Sequence, residues 1–340
     1  MSGMTAPSAL GDDLDHAARV RAGARKLAER CVGVRAGEGV AIAANPSTLA
    51  VAQAMYEAAR ELGAEPAILV YPPRRSDGRE PPRTVAVALL ACDVFFTPVE
   101  ISITHTRALK AAREAGARGL VMSAFTPAML AGGGIDADFD ACAPLCRAFA
   151  ARLAAGARFR LTAPGGTALE GAIHGRRGNA LCGLARARGE FSTIPTIEAN
   201  VSPIEGSCTG VIVADASIPY LGIGVVDAPV RLEVAGGLVR AVDGGRAAAA
   251  FSRALADAGD PASYNVAELG IGLNPCARLC GLMLEDEGVW GMVHLGIGSS
   301  IQLGGTVVAP THYDVLVRRA TIEVDGEVVL RDGEPVIGVK

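Results

Sequence analysis

Two histidines and three carboxylates in the second half of the chain are residue types that a divalent metal site requires. They are Glu198, Glu268, His294, His312 and Asp314. Each stands in a short apolar or glycine-bearing segment, which is typical of a strand. Imidazole and carboxylate groups are common ligands of zinc, manganese, cobalt and iron. The set therefore predicts a site for one or two divalent ions.

The spacing of His312 and Asp314 strengthens this prediction. The segment from Ala309 to Val317 alternates like a strand, so residues two apart project from the same face and can reach one ion. His294 and Glu268 lie among apolar neighbours, where a buried imidazole or carboxylate needs a partner. A surface strand would also explain the His-x-Asp pair, and a solvated or paired carboxylate would explain either glutamate taken alone. The order of the whole set favours a metal site.

The elements that must position these residues differ between the two halves of the chain. The first half alternates strand and helix patterns, which predicts a Rossmann-like parallel sheet covered by helices. No phosphate-binding glycine motif follows its strands, so a nucleotide site has no motif support. From about Leu161, short strands and Gly or Pro turns predict a mixed, mostly antiparallel α+β metal-binding domain. Asp325-Gly326 between two strand patterns indicates a hairpin. We predict an N-terminal α/β domain over 1–175, a connector over 176–192 and a C-terminal catalytic domain over 193–340.

His105 is a further candidate, for contact with substrate. It stands between a predicted strand and a predicted helix, at the carboxyl end where open α/β sheets bind ligands. Thr104 or Thr106 would cap the helix, and capping alone would also explain this segment.

A resemblance to the aminopeptidase T/S metallopeptidases runs through four stretches, Arg160–Leu169, Pro203–Asp215, Asn265–Gly272 and His312–Asp314. It implies a two-metal hydrolytic site in which the five residues named above match the ligand positions, and a homodimer or larger assembly. The 2,5-dihydroxypyridine 5,6-dioxygenases form a branch of the same superfamily that uses one iron. The resemblance implies that they carry a histidine in place of Glu268 and lack counterparts of Glu198 and His294.

The carboxylate-rich set favours the hydrolytic branch. We therefore predict a metallohydrolase in which two zinc, manganese or cobalt ions activate a water that attacks an amide. Glu268, or otherwise Glu198, would act as general base or bridge the metals. The chain is shorter than typical aminopeptidases, and Ser299–Gln302 replace an expected tyrosine, so a small amide or lactam competes with a short peptide as substrate. The alternative is a ring-cleaving dioxygenase with one Fe(II) held by His312, Asp314 and a third ligand. A non-catalytic binding protein is the third hypothesis.

Composition agrees with an enzyme that acts on small molecules. The chain has 340 residues, of which 50% are apolar, and its net charge of −4 predicts no broad attraction to nucleic acid or anionic membranes. Neither a long apolar run nor a signal-peptide pattern is present. Eight scattered cysteines are typical of a reduced compartment, so we predict a cytoplasmic protein.

Overall fold

The computed structural model describes residues 9–75, 78–104 and 106–338. The chain packs into two compact units. Of the described residues, unit 1 comprises those up to Asp136 together with Leu184–Ser192, and unit 2 comprises Ala137–Gly183 together with those from Thr193 onward. The domain limits predicted from the sequence stay a prediction.

The helices and strands of the described residues are numbered in chain order. The helices are α1 (Ala9–Lys26), α2 (Leu49–Glu61), α3 (Arg83–Ala91), α4 (Arg107–Ala115), α5 (Pro127–Ala131), α6 (Phe139–Ala155), α7 (Arg246–Asp257) and α8 (Met283–Asp286). The strands are β1 (Gly39–Ala44), β2 (Glu65–Val70), β3 (Val94–Thr97), β4 (Arg118–Val121), β5 (Arg158–Thr162), β6 (Ala168–Ala172), β7 (Gly178–Leu181), β8 (Phe191–Thr193), β9 (Glu198–Val201), β10 (Thr209–Ala214), β11 (Ser217–Ile218), β12 (Gly224–Val225), β13 (Val230–Ala235), β14 (Leu238–Asp243), β15 (Val266–Gly272), β16 (Val293–Gly298), β17 (His312–Val317), β18 (Thr321–Val324), β19 (Glu327–Arg331) and β20 (Glu334–Pro335).

Unit 1 is built on a sheet with the strand order β2-β1-β3-β4-β8. The pairs β1–β2, β1–β3 and β3–β4 are parallel. Phe95 and Val121 on one face of this sheet pack with Leu89 of α3 and Leu109 of α4. This confirms the Rossmann-like parallel sheet. Thr106 caps α4, because its side-chain oxygen accepts a hydrogen bond from the backbone N–H of Leu109.

Unit 2 contains two larger antiparallel sheets and confirms the mixed α+β prediction. One has the order β14-β13-β10-β6-β5-β18-β19-β20, and the other has the order β17-β16-β15-β9-β7. The predicted hairpin joins β18 to β19, and both Asp325 and Gly326 have positive φ, as a tight two-residue turn requires. Strands β15 and β16 are buried along their whole length. Unit 2 therefore offers a sheet whose central strands are shielded from water.

Among the described residues, no helix combines the length and the apolar character needed to cross a membrane.

Candidate metal centre

The five candidate ligands lie on four neighbouring strands of the antiparallel five-stranded sheet in unit 2. Glu198 begins β9, Glu268 is on β15, His294 is on β16, and His312 and Asp314 are on β17. These strands are adjacent in the order β17-β16-β15-β9. The antiparallel register therefore brings together residues that are more than a hundred positions apart in the chain.

A glycine stands opposite each ligand on the paired strand. Gly270 pairs with His294, and Gly272 pairs with Glu198. Gly296 pairs with both Glu268 and Asp314, and Gly298 pairs with His312. A Cβ atom added at Gly270 would lie 1.9 Å from His294 Nε2, and one at Gly296 would lie 2.5 Å from His312 Cε1. The repeated Leu-Gly-Ile-Gly pattern after Glu268 and His294 thus leaves room for the two imidazoles.

Short distances join the five side chains into two groups. His294 Nε2 lies 3.2 Å from Glu198 Oε2 and 3.7 Å from Glu268 Oε1. His312 Nε2 lies 3.1 Å from Glu268 Oε2 and 3.3 Å from Asp314 Oδ1. In each group, Glu198–Glu268–His294 and Glu268–His312–Asp314, the candidate ligand atoms lie within 4.8 Å of one another. Glu268 belongs to both groups, so its two oxygens face different imidazoles.

Hydrogen bonds with neighbouring residues orient three of the candidate ligands. His312 Nδ1 donates to the carbonyl oxygen of Ser299 at 2.8 Å, which leaves Nε2 directed at the carboxylates. Asn200 Nδ2 donates to Glu198 Oε1 at 3.0 Å, and Asn179 donates in turn to Asn200 Oδ1 at 2.7 Å. The Tyr220 hydroxyl donates to Asp314 Oδ2 at 2.7 Å.

Sequence reasoning missed Tyr220 and Glu287 at this site. The Tyr220 hydroxyl lies 3.4 Å from Glu287 Oε1, and Glu287 is buried close enough to Asp314 for that carboxylate to raise its pKa. Glu287 closes the acidic run Glu285-Asp286-Glu287 before an apolar segment, which is a signal that could have marked it as a buried carboxyl. Nothing in the sequence around Tyr220 indicates a site.

The buried charges perturb one another strongly. Burial lowers the pKa values of His294 and His312, but the facing carboxylates outweigh it and hold both pKa values well above the ordinary 6.5. Burial raises the pKa of Glu198, and burial with the nearby Asp314 raises that of Glu287 well above 4.5. The two histidines overcome burial at Glu268 and Asp314 and lower the pKa of each. Four carboxyls thus surround two imidazoles, and acidic groups outnumber basic groups in the site.

Two oxygens of the cluster test whether a metal fits it. Glu198 Oε2 and Asp314 Oδ1 are buried and have no hydrogen-bond partner, although each lies near an imidazole nitrogen. Buried polar atoms without partners are rare in proteins, and a cation bound within the group of each oxygen would satisfy it. The donor set of carboxylate oxygens and imidazole nitrogens suits a divalent first-row metal. The residues therefore fit a metal ion.

The two groups differ in their access to solvent. The side chain of His312 is 28% exposed, whereas those of the other four ligands are at most 7% exposed. A substrate can therefore approach the group that contains His312. His105, the predicted substrate contact, lies outside the described residues, so its role stays a prediction.

Comparison with known proteins decides between the two branches of the superfamily. The family model of NicX, 2,5-dihydroxypyridine 5,6-dioxygenase, matches residues 22–337. The chain belongs to the NicX family. A search of curated proteins found no match.

Two solved structures share the fold of this NicX family member. The 2,5-dihydroxypyridine dioxygenase from Pseudomonas putida KT2440 is 19% identical, with a TM-score of 0.81, over 94% of this chain and 98% of that one. Wild-type AmpT from Thermus thermophilus is 16% identical, with a TM-score of 0.67, over 94% of this chain and 100% of that one. The resemblance to a superfamily that includes both is thus confirmed.

The prediction of an amide-cleaving metallohydrolase was wrong. The NicX family model and the TM-score of 0.81 with a dioxygenase support the oxidoreductase alternative instead. The error came from the ligand set, because carboxylates and imidazoles hold metals in hydrolases and oxygenases alike. The general-base role of Glu268 or Glu198 was predicted for amide hydrolysis, and a catalytic role of either glutamate stays a prediction.

Proposed function

We propose that the protein is a metal-dependent dioxygenase that opens the ring of a small hydroxylated pyridine with dioxygen as co-substrate. The match of the NicX family model to residues 22–337 carries this proposal. The fold shared with the dioxygenase from Pseudomonas putida supports it over nearly the full length of both chains.

The metal in this proposal is one Fe(II) held by Glu268, His312 and Asp314. This group contains the most exposed of the five candidate ligands, His312, and an unpartnered carboxylate oxygen on Asp314. It has one imidazole and two carboxylates, whereas many non-haem iron oxygenases use two histidines and one carboxylate. Bound iron would supply the redox chemistry that joins dioxygen to an aromatic substrate.

The chain's own residues would prepare this metal position in three ways. The Nδ1–H of His312 bonded to Ser299 keeps Nε2 facing the metal position. His294, which is almost fully buried, faces Glu268 Oε1 and thereby holds the carboxylate whose other oxygen faces His312. Burial raises the pKa values of Glu198 and Glu287, which favours their neutral forms and limits the excess negative charge around one ion.

Metal content and oxygen uptake test the proposal together. Protein purified without chelator is analysed for metals, loaded with Fe(II) under anaerobic conditions and mixed with 2,5-dihydroxypyridine in an oxygen electrode. We expect about one iron per chain and substrate-dependent oxygen consumption. His312→Ala should abolish both, while the control His174→Ala, at an exposed position in unit 2, should leave both intact. Two zinc or manganese ions per chain without any oxygen uptake would refute the proposal.

The cytoplasmic location and the homodimer or larger assembly remain predictions. Gel filtration with light scattering would measure the assembly directly.

A further inference from the structure

We propose that Tyr220 is a positioning residue of the metal centre, which selects the oxygen of Asp314 that faces the ion. This inference rests on the proposed function, because it concerns the same metal position. It adds a residue from a segment that supplies none of the five ligands.

The hydrogen bond between Tyr220 and Asp314 has a defined direction. A carboxylate oxygen only accepts, so the Tyr220 hydroxyl donates to Asp314 Oδ2 at 2.7 Å. The other oxygen, Oδ1, is buried without a hydrogen-bond partner and lies 3.3 Å from His312 Nε2. Oδ2 is therefore engaged by the phenol, and Oδ1 is left for a cation shared with His312 and Glu268.

The backbone holds Tyr220 close to the strand that carries Asp314. Tyr220 lies in the tight connection between β11 and β12, where its N–H donates to Ile218 O and its carbonyl accepts from Ile223 N. The N–H of Ala216, just before β11, donates to the carbonyl of Leu316 on β17. This bond joins the hairpin to β17 two residues beyond Asp314.

The ring of Tyr220 is also fixed by aromatic packing. It meets the ring of Tyr313 edge to face, with centroids 5.4 Å apart, and Tyr313 meets Phe251 of α7 at 6.0 Å. Tyr313 stands between the ligands His312 and Asp314 on β17. The ring contacts and the backbone hydrogen bond from Ala216 to Leu316 thus both restrain β17. The hydroxyl of Tyr220 restrains the Asp314 carboxylate in addition.

A phenylalanine at this position would keep the ring and remove only the hydroxyl. Asp314 could then rotate or present both oxygens to the ion. Loss of a residue that orients a metal ligand commonly weakens metal affinity about 10- to 100-fold. We expect Tyr220→Phe to weaken affinity for Co(II) at least about tenfold and to alter the visible absorption of the bound ion, since Co(II) absorption depends on the number and geometry of its ligands.

The experiment titrates metal-free full-length protein with Co(II) alone and records affinity and visible spectrum for wild type, Tyr220→Phe and the control Tyr56→Phe on α2 of unit 1. Weakened affinity with a changed spectrum in Tyr220→Phe, and neither change in Tyr56→Phe, would support the positioning role. Affinity and spectrum equal to wild type in Tyr220→Phe would overturn it.

Failure of the proposed function has a different signature. Iron-loaded protein that consumes no oxygen with 2,5-dihydroxypyridine would refute the dioxygenase, while the Co(II) titration would still decide the role of Tyr220. A Tyr220→Leu variant checks the ring separately, since it removes the aromatic contacts as well as the hydroxyl. If Tyr220→Leu lowers thermal stability but Tyr220→Phe changes no Co(II) property, Tyr220 is only a packing residue and the proposal is wrong.

Discussion

The carboxylates that face His294 and His312 raise both pKa values well above 6.5, which favours a proton on each imidazole in the metal-free protein. These protons partly balance the negative charge of the facing carboxylates. A metal held by His312 would displace the proton on its Nε2, so metal affinity should depend on pH. The raised pKa values make the stability of the metal-free fold depend on pH as well.

The first prediction concerns the stability of the metal-free protein. A histidine whose pKa is higher in the folded state stabilises the fold fully below its unfolded pKa, and this stabilisation disappears as pH rises through the folded pKa. Glu198 and Glu287, with raised pKa values, act in the same direction at lower pH. Above pH 6.5 we expect the free energy of unfolding to fall with pH, by up to about 1.4 kcal/mol per pH unit for each histidine.

Urea unfolding of chelator-treated protein between pH 6.5 and 8.5 would measure this slope. His312→Gln and His294→Gln should flatten it, whereas His174→Ala should not, because His174 lies at an exposed position away from the cluster. A stability that rises with pH over this range would contradict the prediction.

At the scale of elements, the candidate metal centre depends on glycines that stand opposite the ligands on the neighbouring strands. Gly270 and Gly296 provide the space in which the imidazoles of His294 and His312 lie. A Cβ at Gly296 would also come within 2.8 Å of the Cβ of Glu268, the residue that the two groups share. These glycines are thus needed for close approach of side chain to backbone.

The second prediction follows from this space. Gly270→Ala and Gly296→Ala should displace the imidazoles, weaken Co(II) affinity at least about tenfold and destabilise the fold by about 1–3 kcal/mol through overpacking. Metal titration and urea unfolding would measure the two effects. The control is Gly245→Ala, where an added Cβ meets nothing within 4 Å and φ is −81°. Unchanged Co(II) affinity in both Gly270→Ala and Gly296→Ala would contradict this prediction, because metal binding would then not need the imidazoles in their present positions.

At the scale of the whole molecule, all five candidate ligands belong to unit 2, while unit 1 has its own parallel sheet and apolar core. A ligand that binds only the folded state stabilises it by mass action, by about 2.7 kcal/mol when its concentration is 100 times Kd. The strands that hold the ion should gain most of that stabilisation.

The third prediction is therefore a local gain of hydrogen-exchange protection on metal loading. Amides of β9, β15, β16 and β17 should exchange more slowly with saturating Co(II), while those of β1 to β4 should change little. Exchange measured by mass spectrometry on metal-free and loaded protein would show this, and His312→Ala should lose the gain. Equal protection of both sheets would contradict a site confined to unit 2.

The local patterns of the sequence predicted much of the fold and the candidate ligands. Alternation in β17 placed His312 and Asp314 on one face, the strand and helix rhythm predicted the parallel sheet, and Asp325-Gly326 predicted a hairpin. These features depend on residues close together in the chain, where side-chain periodicity and turn chemistry act directly.

Only the tertiary structure decided which distant residues complete the site. Tyr220 is 94 positions from Asp314, and the sharing of Glu268 between two imidazoles depends on the register of three strands. Sequence periodicity contains no information on such pairings, because register is set by the packing of whole strands. Neither the ligand types nor their spacing could predict the reaction, since the same donor groups hold metals for hydrolysis and for oxygenation. Sequence by itself determined the residue types of the candidate metal centre and the two kinds of sheet, and tertiary packing determined which atoms of those residues face one another.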